Sequence, residues 1–420
     1  MIQKPHQLIL RLPIAFGVLL SVISVTRSAY AEDWTLNRIL ARARESSPVL
    51  RSAESEVGVA EGQAHQAGRW DNPEISVSGG PMTISVLKGY TYEATLKQTI
   101  PLFGKKSRAA AVERQGLAIA ENDFSSTRLS FQHAIARAAY ELLAAEMHSQ
   151  YVTHRREHIN LIGQYLSSRP FASPAQAVEK TLIQNRIREI EEKYFEAATN
   201  KTKKWQELNV NLQLKDEITP ALSWFENISL PNEADIRATI LAHHPELRRQ
   251  KLVAEQSSLA VSFANSKSYP DIKIGGGYNY QSIELPQKQY VGTIEFTLPI
   301  WDAGGGAQKA AEAKRVAEEG RLDLAQRQAS SELEQAWSEL ITSKKKIDTY
   351  PLKLIKSLET EMRRAEANWK KGLVPATAYL ELESQVHEQA DHVYEAQVSY
   401  VNALSRVLFL AGREFTTEVK

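Results

Sequence analysis

Apolar and polar residues alternate in four short stretches of the chain. In the first stretch Ile75 and Val77 alternate with glutamate and serine, and over residues 292–300 every second residue is apolar or glycine. A period of two places such residues on one face of a β-strand. The stretches lie in two pairs along the chain. The pattern therefore predicts two β-hairpins, over residues 73–103 and 270–301.

Each predicted hairpin is followed by a long segment with the composition of a helix. Residues 105–167 contain no proline, and their apolar residues recur at intervals of seven. This repeat predicts a helix packed along its whole length in coiled-coil fashion. A partner helix follows, so that residues 105–208 form a helical hairpin. Residues 307–412 repeat the pattern, with Pro351 placed to kink or split the first helix.

The turn from strand to helix occurs twice with similar composition. Residues 99–106 and residues 297–306 both join a proline-containing strand end to a helical segment, with glycine between them. Glycine adopts backbone conformations that other residues avoid, which suits an abrupt change of direction.

Residues 197 positions apart are often alike, which indicates an internal duplication. The matching pairs include Pro48 with Pro245, Pro73 with Pro270, and Gly79 with Gly276. We predict a first repeat over residues 32–208, a connector over 209–243, a second repeat over 244–412 and a short tail over 413–420. A further helix should precede each β-hairpin.

The first 31 residues have the composition of a secretory signal peptide. Basic residues come first, an apolar run follows over 14–25, and Ala29-Tyr30-Ala31 provides a cleavage site of small residues. The chain contains no cysteine, so it has no disulfide framework. Its 51 basic and 50 acidic side chains are balanced, which argues against nucleic acid as a partner. These features predict an exported protein of the bacterial periplasm or outer membrane.

Four strands are too few to close a membrane barrel. The smallest such barrels have about eight strands, and the interior of an eight-stranded barrel is filled by side chains. Three chains would supply twelve strands and leave a lumen. The predicted fold is therefore mainly α with a small β part. In a homotrimer, duplicated long coiled-coil α-hairpins would form a periplasmic α-barrel, and four strands per chain would contribute to a shared twelve-stranded transmembrane β-barrel.

This duplicated plan resembles the TolC-like outer-membrane factors over nearly all of the predicted mature chain. The resemblance implies a homotrimer that serves as the outer-membrane channel of a tripartite efflux system, with a periplasmic adaptor (membrane fusion protein) and an inner-membrane pump of the RND type. It also implies that the adaptor docks at the tips of the helical hairpins. The matching tip residues are Ser173, Pro174, Gly372, Leu373, Val374 and Pro375.

A narrower resemblance concerns the cargo. Residues 72–75 and 101–106 are similar to the CzcC-like branch of the family, which serves heavy-metal cation pumps. The alternatives are a drug-efflux or type I protein secretion duct and, in another class of protein, a periplasmic coiled-coil scaffold or adaptor.

Few residues suggest a binding site or a catalytic site in addition to a channel for cargo. Glu381 and Glu383 lie just after the second tip, where they could form an acidic constriction for cations or be ordinary solvated residues. His154 and His158 have the i, i+4 spacing that suits a metal, but Arg155 and Arg156 crowd them, which favours surface histidines. No catalytic, cofactor-binding or metal site is predicted, and the protein is not expected to be an enzyme.

Overall fold

The computed structural model describes residues 33–168, 173–225, 230, 232–283, 285–296, 300–301 and 303–415. The predicted signal peptide lies outside the described residues. So do residues 169–172 before the first tip, residues 297–299 and 302 of the second junction, and the end of the predicted tail.

The first half consists of two helices, a β-hairpin and two long helices. The long helix has the bounds that the seven-residue repeat predicted, and its partner extends four residues further than expected. The elements are α1 (Leu36–Ser46), α2 (Pro48–Ala67), β1 (Glu74–Ile84), β2 (Leu87–Ile100), α3 (Lys105–Ser167) and α4 (Pro174–Leu212).

The second half repeats this order, except that its long helix is divided. Pro351 lies in the break, which confirms its predicted effect, because proline cannot donate the backbone hydrogen bond that a helix interior needs. The elements are α5 (Glu233–His243), α6 (Pro245–Lys267), β3 (Ile272–Ser282), β4 (Pro286–Phe296), α7 (Gly305–Thr349), α8 (Lys353–Lys370) and α9 (Ala376–Leu410).

Helices α1 and α5 were not expected from the sequence. Each has 11 residues. In α1, Leu36, Ile39, Leu40 and Ala43 have the i, i+3, i+4, i+7 spacing of an amphipathic helix, a signal that our interpretation overlooked. In α5 only Ile236 and Ile240 are buried, which is too few to display a helical period. Each of the two helices ends just before a proline that starts the next helix. Ser47 and His244 cap α2 and α6, where their side chains accept the backbone N–H groups of Leu50 and Leu247 at 3.2 and 3.3 Å.

The four strands form one antiparallel sheet in the order β1-β2-β3-β4. Tyr92 of β2 lies opposite Tyr280 of β3, so the two halves of the chain join in the middle of the sheet. At the helix end of the sheet, Gly104 and Gly304 precede α3 and α7 with φ of 69° and 77°, the left-handed region that glycine adopts readily. The predicted role of these junction glycines is confirmed.

The helical part has three apolar clusters. One joins Tyr140 of α3 to Leu340 of α7 and Tyr400 of α9, and it is covered by Phe225 and Ile240 from the connector side. A second cluster packs α1 against α3 and α4. The third lies toward the hairpin tips and joins α3, α4, α8 and α9. Helix α1 and the connector, which includes α5, thus pack against the sides of the long helices.

Candidate functional site

One face of the sheet is apolar and exposed. The side chains of Ile75, Val77, Tyr290 and Ile294 are between 69% and 80% exposed, and they lie on the same face. Water-soluble proteins rarely expose a contiguous apolar surface of this kind, whereas the outer face of a membrane barrel consists of such residues. The sheet therefore has one face suited to lipid.

The opposite face of the sheet is polar and carries paired charges at its helix end. Lys97 Nζ lies 2.6 Å from Glu295 Oε1, and Lys273 Nζ lies 3.5 Å from Glu74 Oε1. Gly275 lies between β2 and β4 at this level. A Cβ atom at Gly275 would lie 2.9 Å from Lys97 Cγ and 3.0 Å from a backbone oxygen. Because glycine has no Cβ atom, the Lys97 side chain can cross β3 at this position and reach β4.

Ion pairs also join the sheet to the first long helix. Lys105 Nζ binds Asp271 Oδ1 at 2.8 Å, and Lys106 Nζ binds Asp71 Oδ1 at 2.9 Å. Lys105 is on α3 of the first half and Asp271 precedes β3 of the second half, so this ion pair joins the two halves. The two ion pairs thus connect the residues that precede β1 and β3 to the start of α3.

The predicted docking residues lie at the two hairpin tips, and most of them are accessible. At the first tip, Ser173 caps α4, because its hydroxyl accepts the N–H of Gln176 at 3.4 Å, and Pro174 is the first residue of that helix.

At the second tip, Gly372 has φ of 76° and turns the chain after α8, which leaves the Leu373 side chain 71% exposed. The remaining two residues are half-buried Val374 and exposed Pro375.

The two glutamates after the second tip have different environments. Glu381 is exposed and accepts a hydrogen bond from Gln385 on the same helix. Glu383 is 2% exposed and lies inside the helix packing. Only Glu381 is therefore open to a passing ion in the single chain.

Glu383 is the centre of a buried cluster of charged and polar groups. Its carboxylate accepts hydrogen bonds from Arg155 of α3 at 2.6 Å and from Arg186 of α4 at 2.5 Å. His387 Nε2 lies 2.7 Å from the same carboxylate, and His387 Nδ1 lies 2.5 Å from the hydroxyl of Tyr151. These contacts join α9 to both helices of the first hairpin.

The charges of this cluster follow from its environment. Burial lowers the pKa of His387 to about 4, against the opposing effect of Glu383. Burial would raise the pKa of Glu383, but the hydrogen bonds from His387 and Arg155 outweigh it and hold that pKa well below its usual range. At neutral pH the Tyr151 hydroxyl therefore donates to neutral His387, whose Nε2–H donates to the Glu383 carboxylate.

Our sequence interpretation missed this cluster, although one signal was present. Glu383 lies in a series at intervals of seven that runs from Ala376 through Ala390 and Gln397 to Leu404, all of them buried. A glutamate in a buried series requires partners. The identity of those partners depends on tertiary packing, since Arg155 and Arg186 are more than 190 residues away in the sequence.

The two histidines with metal-like spacing pair with different carboxylates, His154 with Glu157 and His158 with Glu366. The His154 side chain is 82% exposed, and His158 pairs with Glu366 of α8 at 2.7 Å. Among the described residues, no group of three or more His, Cys, Asp or Glu side chains is arranged to hold a metal ion. Within the same residues, no helix has the length and apolarity required to cross a membrane.

Comparisons with known proteins agree with this architecture. Residues 237–413 match the sequence model of the family described as outer membrane efflux protein. The open-state outer membrane channel MtrE of Neisseria gonorrhoeae is 16% identical, with a TM-score of 0.78 and 91% of each chain covered. The CmeC outer membrane channel of Campylobacter jejuni is 18% identical, with a TM-score of 0.71 and coverage of 92% of this chain and 87% of CmeC.

A third solved structure, the outer membrane protein VceC of Vibrio cholerae, is 17% identical, with a TM-score of 0.67 and coverage of 91% of this chain and 97% of VceC. No curated protein matches the chain significantly. The chain has the fold of these outer-membrane channels. The match over residues 237–413 and the fold are thus both similarities to outer-membrane efflux and channel proteins.

Proposed function

We propose that this protein is the outer-membrane duct of a tripartite efflux system and that it works as a homotrimer. The observation that carries the proposal is the four-stranded sheet, with one exposed apolar face and one polar face. Four strands cannot close a barrel, and open sheet edges are not tolerated in lipid. Three copies of the sheet would give a closed barrel of twelve strands.

In such a barrel the apolar face would contact lipid and the polar face would line a lumen. Along the chain, the long helices that begin at Lys105 and Gly305 follow strands β2 and β4, so the passage would continue into the helical part. The duct would lead from the periplasm to the exterior.

The hairpin tips are the proposed docking site for a periplasmic adaptor, which would connect the duct to an inner-membrane pump of the RND type. The exposure of Leu373 and Pro375 supports this proposal, because an exposed apolar residue at a turn is a suitable anchor for a partner protein. Leu373→Asp should abolish export, and Lys371→Asp, at an exposed position two residues before Leu373, is the comparison variant. Both proteins should remain in the outer membrane in normal amounts.

The narrower sequence resemblance suggests heavy-metal cations as cargo. Exposed Glu381 would then lie where it could act on cations, and Glu381→Gln should change cation selectivity. A strain that lacks the gene should become sensitive to divalent metal salts and recover when the gene is restored. Sensitivity to dyes and detergents alone would identify a drug-efflux duct instead.

Channel activity is the direct test of the proposed function. Purified protein reconstituted into a planar lipid bilayer should give discrete conductance steps at a voltage where the bilayer alone gives none. A periplasmic scaffold, the competing function, would give no conductance and would be found in the soluble periplasmic fraction.

A further inference from the structure

The polar face of the sheet carries a set of four charges that the proposed function does not use. Glu74, Lys97, Lys273 and Glu295, which we call the charge belt, come from the four different strands and lie within the first or last few residues of each. All four are on the polar face, at the end where the strands meet the helices. Their side chains are between 34% and 66% exposed.

The charge belt is paired across strands that are not neighbours. Lys97 of β2 reaches Glu295 of β4 across the bare backbone of Gly275 in β3, and Lys273 of β3 reaches Glu74 of β1 across β2. Each pair therefore spans three strands. Exposed pairs of this kind contribute little to stability. Stabilisation of the sheet is thus a weak reason for four charges at one level of a polar face.

Few other charges lie on this face. In the described strands the only further one is Glu93 of β2, which lies four residues from Lys97 and so about 13 Å further from the helices. Serine, threonine, asparagine, glutamine and glycine make up most of the rest. The belt is therefore where charge is concentrated on the polar face.

We propose that the charge belt keeps the helix end of the barrel lumen electrically neutral, so that this part of the duct does not discriminate between cations and anions. This inference rests on the proposed function, in which the polar face lines the lumen. Three copies would place six lysines and six glutamates around the passage. Rings of charged side chains select ions of opposite sign, whereas a balanced ring admits both signs. The duct then accepts charged cargo of either sign, and the pump selects the cargo.

The test is the reversal potential of the reconstituted channel in a potassium chloride gradient. The Lys97→Gln/Lys273→Gln variant leaves the glutamates unpaired and should raise the ratio of cation to anion permeability by about tenfold at low ionic strength. Glu74→Gln/Glu295→Gln should shift the ratio in the opposite direction. Both shifts should decrease as salt is raised, because the charges are screened.

Two further variants separate charge from local damage. Lys97→Glu/Glu295→Lys keeps an ion pair and the net charge, so it should retain the wild-type permeability ratio. Lys203→Gln/Lys215→Gln removes two lysines that are exposed and lie outside the sheet, and it should also leave the ratio unchanged. If a double variant does not insert into the bilayer, Lys97→Gln and Lys273→Gln should each give a smaller shift in the same direction.

The outcomes distinguish this inference from the proposed function. A wild-type protein without conductance would refute the proposed function. If the protein conducts and the permeability ratio is the same in all belt variants, the inference about the charge belt is refuted and the proposed function is not. A shift in the charge-swapped variant as large as that of Lys97→Gln/Lys273→Gln would also refute it, because charge would then not be the cause.

Discussion

Helices α4 and α9 are equivalent in the duplicated chain, yet they are buried to very different extents. Both are the second long helix of their half. Helix α9 has 18 buried residues among 35, whereas α4 has six among 39. Helix α9 packs against α3, α4, α7 and α8, while α4 packs mainly against α3. Although the two helices occupy equivalent positions in the duplicated sequence, α9 is an inner helix and α4 is an edge helix.

The difference shows which surfaces remain for a neighbouring copy of the chain. Helix α4 exposes the large apolar side chains of Val178, Phe195 and Val210, and among the described residues α9 exposes none of comparable size. Helix α9 instead buries polar groups, including Glu383 and His387. We infer that α4 lies at the edge of the subunit and contacts the next one, while α9 holds each subunit together.

The largest effect is expected from loss of the buried carboxylate on α9. Glu383→Gln would leave Arg155 buried without a counter-charge, whereas Arg186 keeps its ion pair with Glu189. Removal of one partner from a buried ion pair costs about 3–5 kcal/mol. The urea concentration at the unfolding midpoint, followed by circular dichroism in detergent, should decrease markedly. Glu381→Gln, two residues away and exposed, should have no measurable effect. Equal effects of the two changes would contradict the assignment of α9 as the inner helix.

The same cluster should make stability depend on pH. Burial lowers the pKa of His387 to about 4, while in the unfolded chain it is near 6.5. Between these values the unfolded chain binds a proton that the folded chain does not. Stability should therefore decrease as the pH falls from 6.5 to 4, by up to about 1.4 kcal/mol per pH unit.

The contribution of His387 can be separated from that of other groups by substitution. His387→Gln should show a smaller decrease in stability over the same pH range. A slope will remain, because burial also lowers the pKa of His133. In addition, the unfolded chain binds a proton at Glu383 near pH 4, whereas the lowered pKa of this carboxyl keeps it ionised in the folded chain. A wild-type slope in the His387→Gln protein would show that this side chain is not held neutral.

On the edge helix, substitutions should affect association more than folding. Val178→Ser, Phe195→Ser and Val210→Ser together should reduce the fraction of trimer and leave the circular dichroism of the single chain unchanged. Native mass spectrometry in detergent measures that fraction. Lys203→Ser, at an exposed polar position on α4, is the matched control. An intact trimer in the triple variant would exclude this face of α4 from the subunit contact.

The smallest effect concerns a buried hydroxyl on α9. The Tyr400 side chain is fully buried, and its hydroxyl has no hydrogen-bond partner among the described residues, whereas the hydroxyl of Tyr140 donates to the carbonyl of Ser223 at 3.1 Å. Tyr140→Phe should cost about 0.5–1.5 kcal/mol, and Tyr400→Phe should be neutral or slightly stabilising. A loss in Tyr400→Phe as large as that in Tyr140→Phe would show that the Tyr400 hydroxyl is bonded.

The sequence predicted the repetitive parts of the fold well. The seven-residue repeat gave the bounds of α3, and the period of two gave all four strands, because both patterns extend over many residues. The break at Pro351 followed from the chemistry of one residue. Helix α5 was missed because it buries only two side chains, whereas the apolar spacing of α1 was present in the sequence and was overlooked.

The candidate site was less predictable than the fold. The sequence analysis treated Glu381 and Glu383 as one candidate site. Residues two positions apart on a helix point in directions that differ by about 200° around its axis. Only one of the two glutamates can therefore face the packed side. The hydrogen bonds of Glu383 and the ion pairs of the charge belt both connect residues that are distant in sequence. Such pairings follow from strand register and helix packing, which local patterns do not specify.

The most direct test of the account is the mass of the protein solubilised from the outer-membrane fraction with a mild detergent. We predict a species of three chains that is stable until heated, since each sheet is completed only by its neighbours. A single chain that is released from membranes by salt would mean that the apolar face of the sheet does not contact lipid, and it would contradict the account.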